Sequence, residues 1–135
     1  RGPASLHRLG PPGLPFSPPL RGVVTNTFNA GEGHYGIDIV TKADEAVEAC
    51  LDGTVIMASW TRDAGYVIQV QHSLGLVSVY KHNAVLLKDV GDHVKAGEAI
   101  AIVGNSGEFT TGPHLHFELW SAGVPVDPQK YIGFK

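Results

Sequence analysis

Gly112-Pro113-His114-Leu115-His116-Phe117-Glu118-Leu119 reads as a β-strand entered through a Gly-Pro turn. Alternate side chains of a strand share a face. Leu115 and Phe117 therefore turn towards a core, while His114, His116 and Glu118 share the other side. Two imidazoles about 7 Å apart on one rigid face suit a metal centre and the chemistry beside it. Taken alone, the same pattern also describes two half-exposed strand histidines, so the choice falls to the rest of the chain.

The segments upstream carry the same β character. A long polar loop, residues 104–112, precedes the His-x-His strand, and residues 99–103 (Ala-Ile-Ala-Ile-Val) form a short buried strand. Residues 66–72 and 76–82 make a hairpin across Ser73-Leu74-Gly75, and residues 53–60 a strand entered through Asp52-Gly53. Residues 23–28 are rich in β-branched side chains, and residues 34–40 are extended with a kink at Gly36. No segment has a convincing helical period. Many short strands with glycine turns predict a single-domain, mainly β protein: an antiparallel sheet or sandwich with few or no helices. Residues 1–20 contain Gly10-Pro11-Pro12-Gly13-Leu14-Pro15 and Pro18-Pro19, which cannot enter a central ladder. They are expected to form a Pro/Gly-rich arm lying against a domain of residues 21–135, with His7 incidental.

The 135 residues suffice for one domain with a sizeable core, and 43% hydrophobic against 17% charged residues is a globular balance. A net charge of −3 gives no reason to expect nucleic acid as a partner. No run approaches the roughly 20 apolar residues of a membrane span. The one cysteine, Cys50, excludes an internal disulfide and reads as a buried thiol within an apolar run. No secretory signal stands at the start. A chain beginning at Arg1 fits an exported protein without its signal, or an excised domain.

His34-Tyr35-Gly36-Ile37-Asp38 offers two more metal-ligating side chains. In a straight strand, residues four apart sit about 13 Å apart. They reach one ion only if the segment bends, and Gly36 is placed to permit that. A surface histidine and a turn aspartate are the plain alternative. Zinc suits imidazole and carboxylate donors. Two histidines and one aspartate leave a fourth position open, the pattern of a catalytic rather than a structural site.

Three separated motifs, His34-x-x-x-Asp38, Tyr80-Lys81-His82 and Gly112-Pro113-His114-Leu115-His116-Phe117-Glu118, resemble the LytM-type (lysostaphin-like) zinc endopeptidases of the M23 peptidase family. Gly53-Thr54-Val55-Ile56, Gly91-Asp92-His93-Val94-Lys95-Ala96-Gly97 and Val126-Asp127-Pro128 extend the likeness, which runs from about Gly22 to Ile132. It implies a LytM-like (duplicated-hybrid-motif-like) fold and a zinc-dependent endopeptidase that cuts peptide bonds in bacterial peptidoglycan stems or cross-bridges. Such a protein is exported to periplasm, envelope or cell exterior. By position, the resemblance implies His34, Asp38 and His116 as zinc ligands, with His82 and His114 as the catalytic pair. His114 is favoured as base and His82 as stabilising donor, although the residues themselves do not separate these roles.

The chain also departs from the family pattern. Phe28-Asn29-Ala30-Gly31-Glu32 lacks the arginine common before the first ligand, which puts the usual groove contacts in doubt. Asn83 follows His82 where an apolar residue is commoner, a change expected to matter little. His72 reads as a structural hydrogen-bonding residue and His93 as solvent-facing. Glu118 reads equally as a carboxylate supporting the metal-binding histidines or as a surface group. Tyr80, on the strand face of His82, reads as core or cleft wall. Two rivals differ in class. One is a catalytically silent or latent domain that binds cell wall or activates a partner hydrolase, with Asn26 or Asn29 available as a blocking ligand. The other is a biotinyl- or lipoyl-type carrier, which would need Lys95 in a tight hairpin.

Overall fold

The computed structural model describes residues 14–104 and 112–134. His7 and most of the polar loop before the His-x-His strand lie outside them. Ten strands form in chain order: β1 (Val23–Asn26), β2 (Ile37–Val40), β3 (Ala46–Glu48), β4 (Gly53–Thr61), β5 (Gly65–Gln71), β6 (Leu76–Leu86), β7 (His93–Val94), β8 (Ala99–Val103), β9 (His114–Ser121) and β10 (Val124–Val126). Two 3-10 turns, Ala30–Glu32 and Pro128–Lys130, are the only helical elements among the described residues. The fold is therefore the antiparallel β architecture expected. No helix among these residues is long and apolar enough to cross a membrane.

The strands run β1-β2-β9-β6-β5-β4-β7, with β10 beside β9 and a β3-β8 pair joined through β6. Every pairing is antiparallel. β6 is the common member. Its first half pairs with β9 from Leu76 to Lys81, and its second half pairs with β8 from Asn83 to Leu86. The short strands β3, β7 and β10 have too few residues to show a period of two. β6 also runs four residues beyond the expected end at His82.

The core is built by alternation. In β9, Leu115, Phe117 and Leu119 are fully buried. They meet Ile37 and Ile39 of β2 and Tyr80 and Leu76 of β6 in one cluster. Of the proline-rich lead-in, residues 14–20 lie against the domain. Leu14 and Phe16 pack on the core and Leu20 is buried in it. The backbone N–H groups of Ser17 and Glu48 donate to the carbonyls of Cys50 and Pro19 (2.8 Å each). Pro18 and Pro19 carry no N–H, so here the segment lies alongside the sheet through neighbouring donors.

Candidate metal centre

β2 lies beside β9 in a register that sets Asp38 directly opposite His116. Paired residues of an antiparallel ladder share a face, so the carboxylate and the imidazole meet on the open side of the sheet. His34 precedes β2 and reaches the same point because the chain bends at Gly36. A Cβ there would lie 2.4 Å from the carbonyl oxygen of Phe117 and 3.0 Å from His116 Nε2, so only glycine lets this bend pack against β9. One donor atom each from His34, Asp38 and His116 lies within 4.8 Å of the others.

The outer nitrogen of each imidazole is already engaged. His34 Nδ1 donates to the carbonyl of Thr27 (2.7 Å), which leaves Nε2 facing Asp38 Oδ2 at 3.3 Å. His116 Nε2 donates to Glu118 Oε2 (2.8 Å), which leaves Nδ1 against Asp38 Oδ1 at 2.8 Å. Such outer bonds fix ring orientation and tautomer in metal sites. The donor set, two oriented imidazoles converging on one carboxylate, fits a zinc ion with an open fourth position.

Glu118 is itself held. Trp120 Nε1 donates to Oε1 (2.9 Å) and Lys81 Nζ to Oε2 (3.1 Å). Of the two readings of Glu118, the supporting carboxylate is the one found. Neither Lys81 nor Trp120 stands out in the motifs as its partner. Strand spacing could have found Trp120, two residues further along the same face.

The charges follow from these contacts. Burial opposes protonation of His116, but the carboxylates of Asp38 and Glu118 outweigh it and raise the ring to about 9. Burial pushes the Glu118 carboxyl up, yet bonds from His116, Trp120 and Lys81 bring it down to about 2. Asp38 behaves likewise: burial raises it, and His116, Asn26 and His34 lower it below the usual carboxylate range.

The expected catalytic pair lies at the rim. The ring centroids of His82 and His114 are 5.3 Å apart, and His82 is 6.4 Å from His116. His114 Nδ1 donates to the Gly112 carbonyl (3.1 Å), so in this tautomer Nε2 is the acceptor nitrogen. Burial, and then the neighbouring rings of His114 and His116, lower the His82 pKa. All five residues singled out in the sequence thus come together. Tyr80 does not join them. It is fully buried, with its hydroxyl accepting from Cys50 N–H (3.0 Å), and His82 turns to the opposite side of β6. His72 is buried elsewhere, between Asp52 and Ser78, and His93 is exposed. Asn26 reaches Asp38 Oδ2 through its amide nitrogen (3.1 Å), and the Asn29 side chain caps the Ala30–Glu32 turn.

Comparison with known proteins places the chain among peptidases and murein hydrolase activators. The model of peptidase family M23 matches residues 32–128. The murein hydrolase activator EnvC of Escherichia coli is 37% identical over 119 residues, 85% of this chain and 28% of EnvC. The chain thus spans under a third of that relative. A zinc-containing peptidase from Vibrio cholerae superposes with a TM-score of 0.74 at 31% identity, covering 90% of this chain and 40% of that one. The catalytic domain of lysostaphin from Staphylococcus simulans does so with a TM-score of 0.66 at 30% identity, covering 81% of this chain and 88% of the domain.

Proposed function

The chain belongs to peptidase family M23, and from that membership we propose that it is a zinc-dependent endopeptidase acting on peptide bonds of bacterial peptidoglycan, outside the cytoplasm. One observation carries the reading: His34, Asp38 and His116 offer convergent donor atoms while two further histidines, not needed as ligands, stand within reach of the same point.

In this reading His34, Asp38 and His116 hold zinc. When bound, zinc supplies Lewis acidity that polarises the scissile carbonyl and makes water a nucleophile near neutral pH. The remaining work falls to side chains. His114, with Nδ1 tied to Gly112, takes the proton of the attacking water at Nε2 and returns it to the leaving amine. His82 donates to the oxygen on which charge develops. Glu118 keeps the His116 ring in the tautomer that presents Nδ1 to the metal. The open face continues beside this point over Ile56, Gln69, Val77, Val79 and Trp120, a shallow floor for a short, flexible peptide rich in small residues.

The test is twofold. Protein purified without chelators should carry about one zinc per chain, as three protein ligands imply. Incubated with purified murein sacculi, it should release peptides whose new termini are read by mass spectrometry. Zinc far below stoichiometry that added metal does not restore would end the metal assignment.

A second reading is favoured by the name of one relative, EnvC, a murein hydrolase activator: the domain stimulates a separate hydrolase. A chain that releases nothing alone, yet accelerates a purified murein hydrolase on the same sacculi, would establish it.

A further inference from the structure

β6 changes partner within three residues. Lys81 pairs with His116 of β9, and Asn83 pairs with Val103 of β8. Between them His82 has φ 72°, the left-handed region that L residues with a Cβ seldom enter. β5 covers Tyr66 to Ile68 while β6 covers Tyr80 to Asn83. The extra residue on β6 makes this a β-bulge.

The bulge decides where His82 points. Strict alternation would send His82 to the core side with Tyr80, and Asn83 to the open side with Lys81. The reverse is found. Tyr80 and Asn83 are buried, and the His82 ring faces those of His114 and His116.

Two features hold the turn. Asn83 Nδ2 donates to the carbonyls of Tyr66 (3.0 Å) and Tyr80 (2.9 Å), the residues that bracket the bulge on its two strands. His82 N–H donates across to the Ala64 carbonyl (2.8 Å). From the other side Gly104 presses on the same peptide: a Cβ there would stand 2.1 Å from the His82 carbonyl oxygen. The Gly104 carbonyl also accepts from His114 N–H (3.1 Å), so one residue spaces the two histidines.

We propose that Asn83 is a positioning residue for His82: its buried amide ties the Tyr66 and Tyr80 carbonyls across the bulge and so fixes the left-handed turn that aims His82 at His114. An apolar side chain at this position has no donor to offer these carbonyls. The effect on rate rests on the hydrolase reading above; the effect on ring placement does not.

The experiment uses Asn83→Ala, with Asn83→Ser as a milder variant that keeps one donor should the first fail to fold. Folding is checked by circular dichroism and zinc by elemental analysis, and both should match the parent. Nuclear Overhauser contacts between the His82 and His114 rings should weaken or vanish. Peptide release from murein sacculi should fall about 100-fold, since ångström-scale misplacement of a reacting group costs on that order. In a His82→Ala background, adding Asn83→Ala should cost nothing further, because the two changes remove the same contribution. Retained ring contacts in a folded Asn83 variant overturn the proposal, and so does an equal loss of rate with and without His82. If the parent itself releases no peptide, the hydrolase reading falls and the ring contacts alone judge the positioning role.

Discussion

Two histidines occupy opposite sides of the sheet shared by β6 and β9, and their surroundings invert each other's charge. His72 is buried, with Nδ1 donating to the Asp52 carbonyl (2.8 Å) and Nε2 paired with Ser78 Oγ (2.7 Å). Ser78 passes the network to the Tyr80 hydroxyl (2.8 Å), and Cys50 Sγ lies 3.8 Å from the ring. Every partner is uncharged, and burial lowers the His72 pKa. Burial also drives the Cys50 thiol up to about 11, which leaves it unreactive. His116 is as fully bonded, but its partners are carboxylates and its face is open. Buried histidines satisfied by neutral groups hold a core together, whereas anionic partners beside solvent prepare a ring for a cation. Partner charge and access, not hydrogen-bond count, separate the two.

The strongest way to break this contrast is to remove each ring. His116→Ala should abolish stoichiometric zinc, a loss beyond the about 10- to 100-fold that outer-sphere changes cause, whereas His72→Ala should keep zinc at the parental level. Elemental analysis after dialysis decides it. Zinc retained in His116→Ala would remove His116 from the ligand set.

Next in size is Glu118. Glu118→Ala should weaken zinc binding about 10- to 100-fold by chelator competition, with the stability of the chelated protein changed less than that of the zinc-loaded one. Glu118→Gln, which keeps the shape but lowers the negative charge on the acceptor, should fall between.

On the buried side, Ser78→Ala leaves His72 Nε2 and the Tyr80 hydroxyl each short of a partner. It should cost about 1–3 kcal/mol in urea unfolding and leave zinc affinity unchanged.

The last contrast is a pair of opposed pH limbs in chelated protein. The folded His116 pKa, about 9, lies above its unfolded value. Its contribution to stability is complete below about pH 6.5 and is lost as pH rises through about 9. His72 is shifted the other way. Its contribution is present above the unfolded value and is lost as pH falls below about 6.5. Thermal midpoints should therefore decline on both sides. His116→Ala should flatten the alkaline limb and His72→Gln the acid one. An alkaline limb unchanged in His116→Ala would show that other groups cause it.

The fold was legible because alternation is local. β9 announces its two faces in eight residues, and the hairpin of β5 and β6 carries its own turn signal at Ser73-Leu74-Gly75. The lead-in was harder to read. Of it, residues 14–20 are described and enter no strand, yet Leu20, directly after Pro19, sits in the core, because apolar burial asks only for contact, not for strand hydrogen bonds.

By itself the sequence determined the β class, the two faces of β9, and the need for a bend at Gly36 before His34 and Asp38 could meet. Each depends on side-chain period or backbone freedom over a few residues. Only the tertiary structure decided that Asp38 stands opposite His116, because strand register is a contact between segments 78 residues apart. It alone separated Glu118 from a surface carboxylate, since that rests on Lys81 arriving from the neighbouring strand β6. It alone turned His82 away from Tyr80, because a left-handed residue inside a strand is imposed by the pairing of β6 with three neighbours and leaves no mark on the local pattern.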